Sequence, residues 1–272
     1  EDLCLCTLDT DFVFHTMHKN VCRNEGSMEQ VLEKMRDIIR EGGNIVVLAG
    51  MNITYDMGLN GVNAEHLAYD VEQKYGYPND EIVSSSFYTR RAPLFYKYYK
   101  EVILNIDDPQ PSPIHYGIYK LQQCSKLSAV VTRSVYSIYD KVGCSNVIKL
   151  HGSVDENVCP RCKRLYDSHY IKHAKGIPVC EKCGIPLRPG FTLVGEMLDN
   201  GKISKASTIV ENADILLVLG AGINSTLCRY MVKYYQGDKL LLLNDIEKVG
   251  DDRADYRAYG NLRDMFAQVM DF

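Results

Sequence analysis

Two Cys-x-x-Cys pairs, Cys159 with Cys162 and Cys180 with Cys183, are separated by seventeen residues, a spacing that lets two knuckles close one tetrahedral metal site. Four thiolates with no fifth candidate beside them suit a structural zinc, because a catalytic zinc keeps one position open. Just upstream, Asn146-Val-Ile-Lys-Leu-His151-Gly152 carries an apolar run into a histidine and a glycine turn. The carboxyl end of a buried strand is where an α/β sheet presents groups to a ligand, and imidazole titrates near neutral pH, so His151 is a candidate general base. Two further glycine turns belong with it. Gly50 follows one apolar run and Gly220-Ala221-Gly222 follows another, both positions where a phosphate could approach backbone N–H groups. The second is a partial dinucleotide fingerprint, since Ser225 stands at the third glycine position. About twenty residues on, Asn244 and Asp245 end the next apolar run, in a place suited to a ribose hydroxyl.

The elements that must position these groups are legible as five apolar runs, 44–49, 127–132, 147–150, 215–219 and 239–243, each with the length and unbroken hydrophobicity of a strand covered on both faces. Ser27 and Gln30 form a capping-box pair ahead of apolar positions at helical spacing, and Gly42-Gly43 ends that helix. Strands alternating with helices imply a doubly wound, Rossmann-type parallel α/β sheet with right-handed crossovers. The cysteine pairs fall inside one crossover, 153–190, which predicts a smaller zinc-ribbon module at the sheet's edge. Residues 51–61 read as a polar, glycine-bearing loop facing a nucleotide. Residues 62–125 read as a helical insertion whose Phe87, Tyr88, Phe95, Tyr96, Tyr98 and Tyr99 recur at the mixed spacing of a core rather than of a ligand box. Residues 1–26 are set apart as an N-terminal extension from the domain 27–272; their Cys4, Cys6, His15, His18 and Cys22 fit no metal template.

Lys and Arg number 31 against 35 Asp and Glu, a net charge of −4 without long runs, so there is no electrostatic footprint for DNA or RNA. No apolar run approaches the roughly 20 residues of a membrane helix. Cys4, Cys6, Cys22, Cys124, Cys144 and Cys228 are scattered rather than framed for disulfides, which points to a reducing, cytoplasmic compartment.

The order of these motifs resembles the sirtuin family of NAD-dependent protein deacylases over residues 28–271, as a divergent, bacterial-type member. Leu48-Ala49-Gly50 stands where the family has Gly-Ala-Gly, and Pro113-Ile-His115 is similar to its Pro-Asn-x-x-His region. Thr132 begins the segment that in the family reads Thr-Gln-Asn-Ile-Asp, and His151-Gly152 matches its His-Gly with the cysteine pairs downstream. Arg188-Pro189-Gly-Phe-Thr-Leu193-Val194-Gly195-Glu196 resembles the segment that holds the acylated peptide. The resemblance implies NAD as co-substrate and structural zinc on Cys159, Cys162, Cys180 and Cys183. It places the nucleotide against Ala49, Gly50, Met51, Asn60, Thr132, Arg133, Gly220, Ala221, Gly222, Asn244 and Asp245. It gives His151 the role of general base and sets an acylated protein or peptide along Leu193, Val194, Gly195 and Glu196, paired as an added strand.

The departures matter as much. Where the family has Gln-Asn-Ile-Asp this chain has Arg133, Ser134, Val135 and Tyr136, and where it has Gly-Ile-Pro-Asp-Phe-Arg this chain has Asp56-Met-Gly58-Leu-Asn60-Gly61. Ser134 is the candidate to replace the catalytic amide, with Asn60 or Asp56 in a polar supporting role. Three functions stay open from sequence: an altered deacylase transferring ADP-ribose to the acyl group with release of nicotinamide, an ADP-ribosyltransferase or NAD hydrolase, and a non-catalytic module that binds NAD or ADP-ribose.

Overall fold

The computed structural model describes residues 26–271, and in it each of the five apolar runs forms a parallel strand. They are β1 (Ile45–Ala49), β2 (Leu127–Thr132) and β3 (Val147–Lys149), then β6 (Ile215–Leu219) and β7 (Leu240–Asn244) beyond a small hairpin of β4 (Asn157–Val158) and β5 (Leu165–Tyr166); β8 (Tyr256–Tyr259) follows. The large sheet runs β3-β2-β1-β6-β7-β8 with every neighbouring pair parallel. Unbroken apolar runs are required because both faces are covered. Ile45, Val47 and Ala49 of β1 with Ile215, Leu217 and Leu219 of β6 pack under the helices Met28–Glu41, Pro113–Gln123 and Leu262–Val269. Val46, Leu48, Leu216 and Val218 point the other way, to the helices Asn200–Glu211 and Thr226–Met231. The first helix starts on the reciprocal Ser27–Gln30 cap and stops at Gly42.

The direction in which strands are added reverses between β1 and β6, and a sheet of this kind opens a crevice at the carboxyl ends of such a pair. Gly50 and Gly220 sit there.

Two expectations change. The polarity of residues 51–61 predicts a loop, yet Met51–Asp56 is a helix that begins directly after Gly50. Ile53 and Thr54 are buried beneath it while Tyr55 and Asp56 face outward, so a turn and a half of amphipathic helix hides in a sequence too short to show its period. The helical insertion is also shorter than 62–125, since Pro113–Gln123 belongs to the sheet's own cover. What remains is not separate from the cysteine-bearing segment. Phe95, Tyr96, Tyr98 and Tyr99 share one core with Cys159, Cys180, Leu187 and Phe191. The aromatic residues are core, as their spacing suggested, and their hydroxyls are satisfied on it: Tyr98 donates to the Val62 carbonyl (3.1 Å) and Tyr99 to Asn157 Oδ1 (3.0 Å). Among the described residues no helix is long and apolar enough to cross a membrane.

Candidate functional site

The crevice between β1 and β6 is built from backbone. Gly50 N–H donates to the Leu219 carbonyl (2.8 Å) and Asn52 N–H to the Gly220 carbonyl (3.1 Å). A Cβ at Gly50 would stand 2.1 Å from the Gly220 oxygen, so any side chain there forces the two strand ends apart. Gly220 itself has φ +69°, a conformation that excludes most side chains. The resulting cleft has a volume of about 440 Å³ and is lined by Gly50, Met51, Asn52, the Gly220–Ala221–Gly222 turn, Asn244, Lys248 and Arg133, among others. Its lining includes two cations and no carboxylate, which suits an anionic ligand. Asn52 was not singled out in the sequence, although it lies two residues past Gly50. Its amide donates to both Asn244 Oδ1 (3.0 Å) and Asp245 Oδ1 (2.9 Å), tying the first glycine turn to the end of β7.

β2 and β3 pair with Thr132 opposite Lys149, so the residues just beyond them, Arg133 and His151, meet. Arg133 Nε donates to His151 Nε2 at 3.0 Å. A guanidinium has no acceptor, so Nε2 must carry the lone pair and the imidazole is neutral with its proton on Nδ1. Burial, reinforced by the Arg133 charge, lowers His151 to about 4. The pair divides two chambers. One, of about 380 Å³, lies towards Met51, Tyr55, Glu65, Val135, Leu193 and Glu196. The other, of about 220 Å³, is mostly apolar and lies towards Leu150, Leu198, Ile203, Leu227, Tyr230 and Met231. Arg133 borders both chambers and the glycine cleft as well. Gly152 explains the turn after His151: it has φ +78°, and a Cβ would lie 2.2 Å from the Gly190 oxygen. The close approach lets Thr192 N–H donate to the His151 carbonyl (2.9 Å), clamping the histidine to the 188–196 segment.

The sulfurs of Cys159, Cys162, Cys180 and Cys183 all lie within 4.8 Å of one another, with Cys162 and Cys180 at 3.6 Å. Tetrahedral zinc with bonds of about 2.3 Å holds its sulfurs about 3.8 Å apart, so the four thiols fit that ion. Each pair closes with the same turn: Lys163 N–H donates to the Cys159 carbonyl (2.9 Å) and Gly184 N–H to that of Cys180 (2.8 Å). The Tyr166 hydroxyl donates to Cys180 Sγ (3.2 Å) and draws that thiol down to about 6. Bound here, zinc would tie the β4–β5 hairpin to the Cys180–Cys183 knuckle. Cys144 and Cys228 are buried elsewhere and Cys124 is exposed; Cys4, Cys6, His15, His18 and Cys22 lie outside the described residues.

A family model described as "Sir2 family" matches residues 57–226. The chain belongs to the Sir2 family. Among its relatives, the "NAD-dependent protein deacetylase" of Clostridium perfringens (strain 13 / Type A) is 28% identical over 245 residues, covering 90% of this chain and 100% of the relative. The "NAD-dependent protein deacylase 1" of Archaeoglobus fulgidus is 25% identical over 241 residues, 88% of this chain and 95% of the relative. Of solved structures, one described as "Structural Basis for the Mechanism and Regulation of Sir2 Enzymes" superposes with a TM-score of 0.74 at 24% identity, covering 89% of this chain and 97% of the other. "Sir2 bound to acetylated peptide" superposes with a TM-score of 0.71 at 22% identity, 88% and 97% covered.

Several residues singled out from the sequence are engaged by partners within this Sir2-family chain. Ser134 is 5% exposed; its hydroxyl accepts from Thr54 Oγ1 (3.1 Å), and it lines none of the three cavities. Thr132 braces the turn, donating to the Ala49 carbonyl (3.0 Å) and accepting from Ser134 N–H (3.0 Å). The Asn60 amide donates to the Val102 carbonyl (2.8 Å), and Asp56 pairs with Arg263 at 2.5 Å. Tyr136 donates to the carbonyls of Asn60 (2.6 Å) and Ile103. Of the positions at which the family's motif departs, Ser134, Asn60 and Tyr136 are therefore held at the junction of sheet and helical layer, whereas Arg133 and Val135 line the chambers. The edge offered for an added strand is partly taken as well. Val194 already bridges Ser84 in parallel, with Val194 N–H on the Val83 carbonyl and Ser85 N–H on that of Val194, both at 3.0 Å. Leu193 N–H is held by Glu196 Oε2 (2.8 Å), and Glu196 also pairs with Arg188. Leu198, Leu227 and Tyr230, which frame the apolar chamber, carried no sequence signal beyond being apolar.

Proposed function

We propose that this Sir2-family chain is an NAD-dependent protein-lysine deacylase with an altered active site, which transfers ADP-ribose from NAD to the acyl group and releases nicotinamide. One observation carries the reading: the glycine cleft, suited in charge to a dinucleotide's phosphates, meets an apolar chamber of about 220 Å³ at Arg133 and Leu227, and Arg133 is hydrogen-bonded to the imidazole of His151, which lines that chamber. In this account the pyrophosphate lies against the Gly50 and Gly220–Gly222 turns, with Asn52, Asn244 and Asp245 positioned for ribose. The acylated lysine enters the apolar chamber past Tyr230, which lines it and is 50% exposed, from the side of the 193–196 segment, where Val194 is also 50% exposed and lines the neighbouring chamber. Such an approach suits an extended peptide, and both curated relatives named above are a deacetylase and a deacylase. His151, neutral at working pH, is the base that takes a proton from ribose. Zinc on the four cysteines has a structural role; no chemical step needs it. The unpaired Cys124, Cys144 and Cys228 support a cytoplasmic setting.

In this reading Ser134, hydrogen-bonded to Thr54 Oγ1, does not take over the work of the family's catalytic amide. Losing one preorganised donor lowers a rate by about 10²–10³, so turnover slower by that order is expected. The test is nicotinamide release from NAD with and without acetylated, propionylated and longer acyl-lysine peptides, alongside His151→Ala. Peptide-dependent release lost in the variant supports the reading. Release without peptide would instead indicate hydrolysis or ADP-ribosyl transfer, and binding of NAD with no release a nucleotide-binding module.

A further inference from the structure

Arg133 is a half-buried guanidinium whose hydrogen-bond acceptor is a neutral imidazole nitrogen. Among the described residues no carboxylate lies within ion-pair distance of it. The charged or titratable groups facing the pair are Tyr55, Glu65 and Glu196 from one chamber, Tyr230, Lys233 and Tyr234 from the other and Lys248 across the glycine cleft. Glu196 already answers Arg188, and Glu65 sits exposed at the chamber's rim. A desolvated cation without a counter-charge is costly, and a guanidinium–phosphate bond is roughly twice as strong as one to a neutral acceptor. Arg133 also occupies the nitrogen that His151 would use as a base.

We propose that Arg133 is a latch on His151: its Nε–H caps the Nε2 lone pair, and a pyrophosphate anion in the glycine cleft draws the guanidinium off, freeing that lone pair to accept a proton. The idea rests on the nucleotide site and the role of His151 proposed above, and it makes Arg133 a positioning residue that couples them. The base is then exposed only when the cleft is filled, which prevents an idle imidazole from activating water. It also gives a reason for arginine to stand where the family has glutamine, since phosphate attracts an uncharged amide less strongly than a guanidinium.

The experiment is ¹⁵N nuclear magnetic resonance of the histidine rings in the full chain, with the His151 signals assigned by their loss in His151→Ala. For the free protein we expect a neutral ring protonated on Nδ1 down to about pH 5. Saturating ADP-ribose, with saturation verified by a raised melting temperature, is expected to lift the His151 midpoint by at least about one pH unit, ten-fold in proton affinity. Adenosine, which has no phosphate, should leave it in place. Arg133→Met should show the raised midpoint without ligand and no further rise with ADP-ribose; Arg133→Gln serves if the methionine variant folds poorly. A wild-type His151 unmoved by bound ADP-ribose, an equal shift with adenosine, or an Arg133→Met midpoint matching wild type would each overturn the latch. No melting shift with ADP-ribose would sink the nucleotide reading, and the release step with it; a melting shift beside an unmoved His151 would sink the latch alone.

Discussion

Restoring the family's carboxylate by Tyr136→Asp should unfold this protein before it improves catalysis. The Tyr136 ring is 4% exposed, and its hydroxyl shares one proton between the Asn60 and Ile103 carbonyls. Burial pushes that hydroxyl far above its usual range, a sign that the surroundings reject negative charge. Tyr136→Phe removes only the donor and leaves two carbonyls short of it, for about 1–2 kcal/mol. Tyr136→Asp also removes the ring, and truncating a buried aromatic costs about 3–5 kcal/mol; the carboxyl then faces two carbonyl dipoles. Its pKa must rise above the unfolded value of about 3.9. A group whose folded pKa is raised loses its stabilising contribution as pH rises, so the deficit against wild type should grow from pH 4 to pH 7. At roughly 2–4 °C per kcal/mol for a domain of this size, thermal melts at pH 7 should fall by about 2–8 °C for phenylalanine and by at least about 8 °C for aspartate. Equal losses for the two variants, or an aspartate deficit that does not change with pH, would refute the reasoning.

Other expectations follow from the same geometry. Gly152→Ala adds strain at φ +78° and a clash with the Gly190 oxygen; a loss of more than about 2 kcal/mol in urea unfolding is expected, with His151 displaced and turnover lost even where the chain still folds. Removing the metal with a chelator, or Cys180→Ser, should lower the melting temperature and expose the Tyr96–Phe191 core to protease near the hairpin, whereas Cys124→Ser should not. Metal analysis of freshly purified, reduced protein should return one zinc per chain. His115 is 2% exposed, accepts from Ser112 on Nδ1, and is lowered to about 4 by burial. The unfolded chain binds its proton near pH 6.5 while the folded one does not, so stability present above that pH is lost as pH falls, by about 3 kcal/mol at pH 4. Acid titration of unfolding should show that slope beside the like contribution of His151, also lowered to about 4, and His115→Gln should remove only the His115 share.

The strands, the glycine turns and the cysteine spacing were legible because each is a local pattern with one physical meaning. An unbroken apolar run reads as a strand covered on both faces, and Cys-x-x-Cys pairs at this separation have few other uses. Side-chain direction at the ends of those strands was not legible. Ser134 and Asn60 are polar residues at the correct place in the chain, and both turn inward to satisfy buried partners, Thr54 Oγ1 and the Val102 carbonyl. The helix Met51–Asp56 was missed because six residues do not display a period. The Arg133–His151 contact depends on the β2–β3 register, which sequence does not print; knowing that Thr132 lies opposite Lys149 places the two side chains together.

The most direct test of the account is mass-spectrometric product analysis after incubation with NAD and an acyl-lysine peptide. Nicotinamide, deacylated peptide and O-acyl-ADP-ribose formed in equal amounts, and none of them with His151→Ala, is the predicted result. Free ADP-ribose or an ADP-ribosylated protein beside an intact acyl-lysine would contradict it.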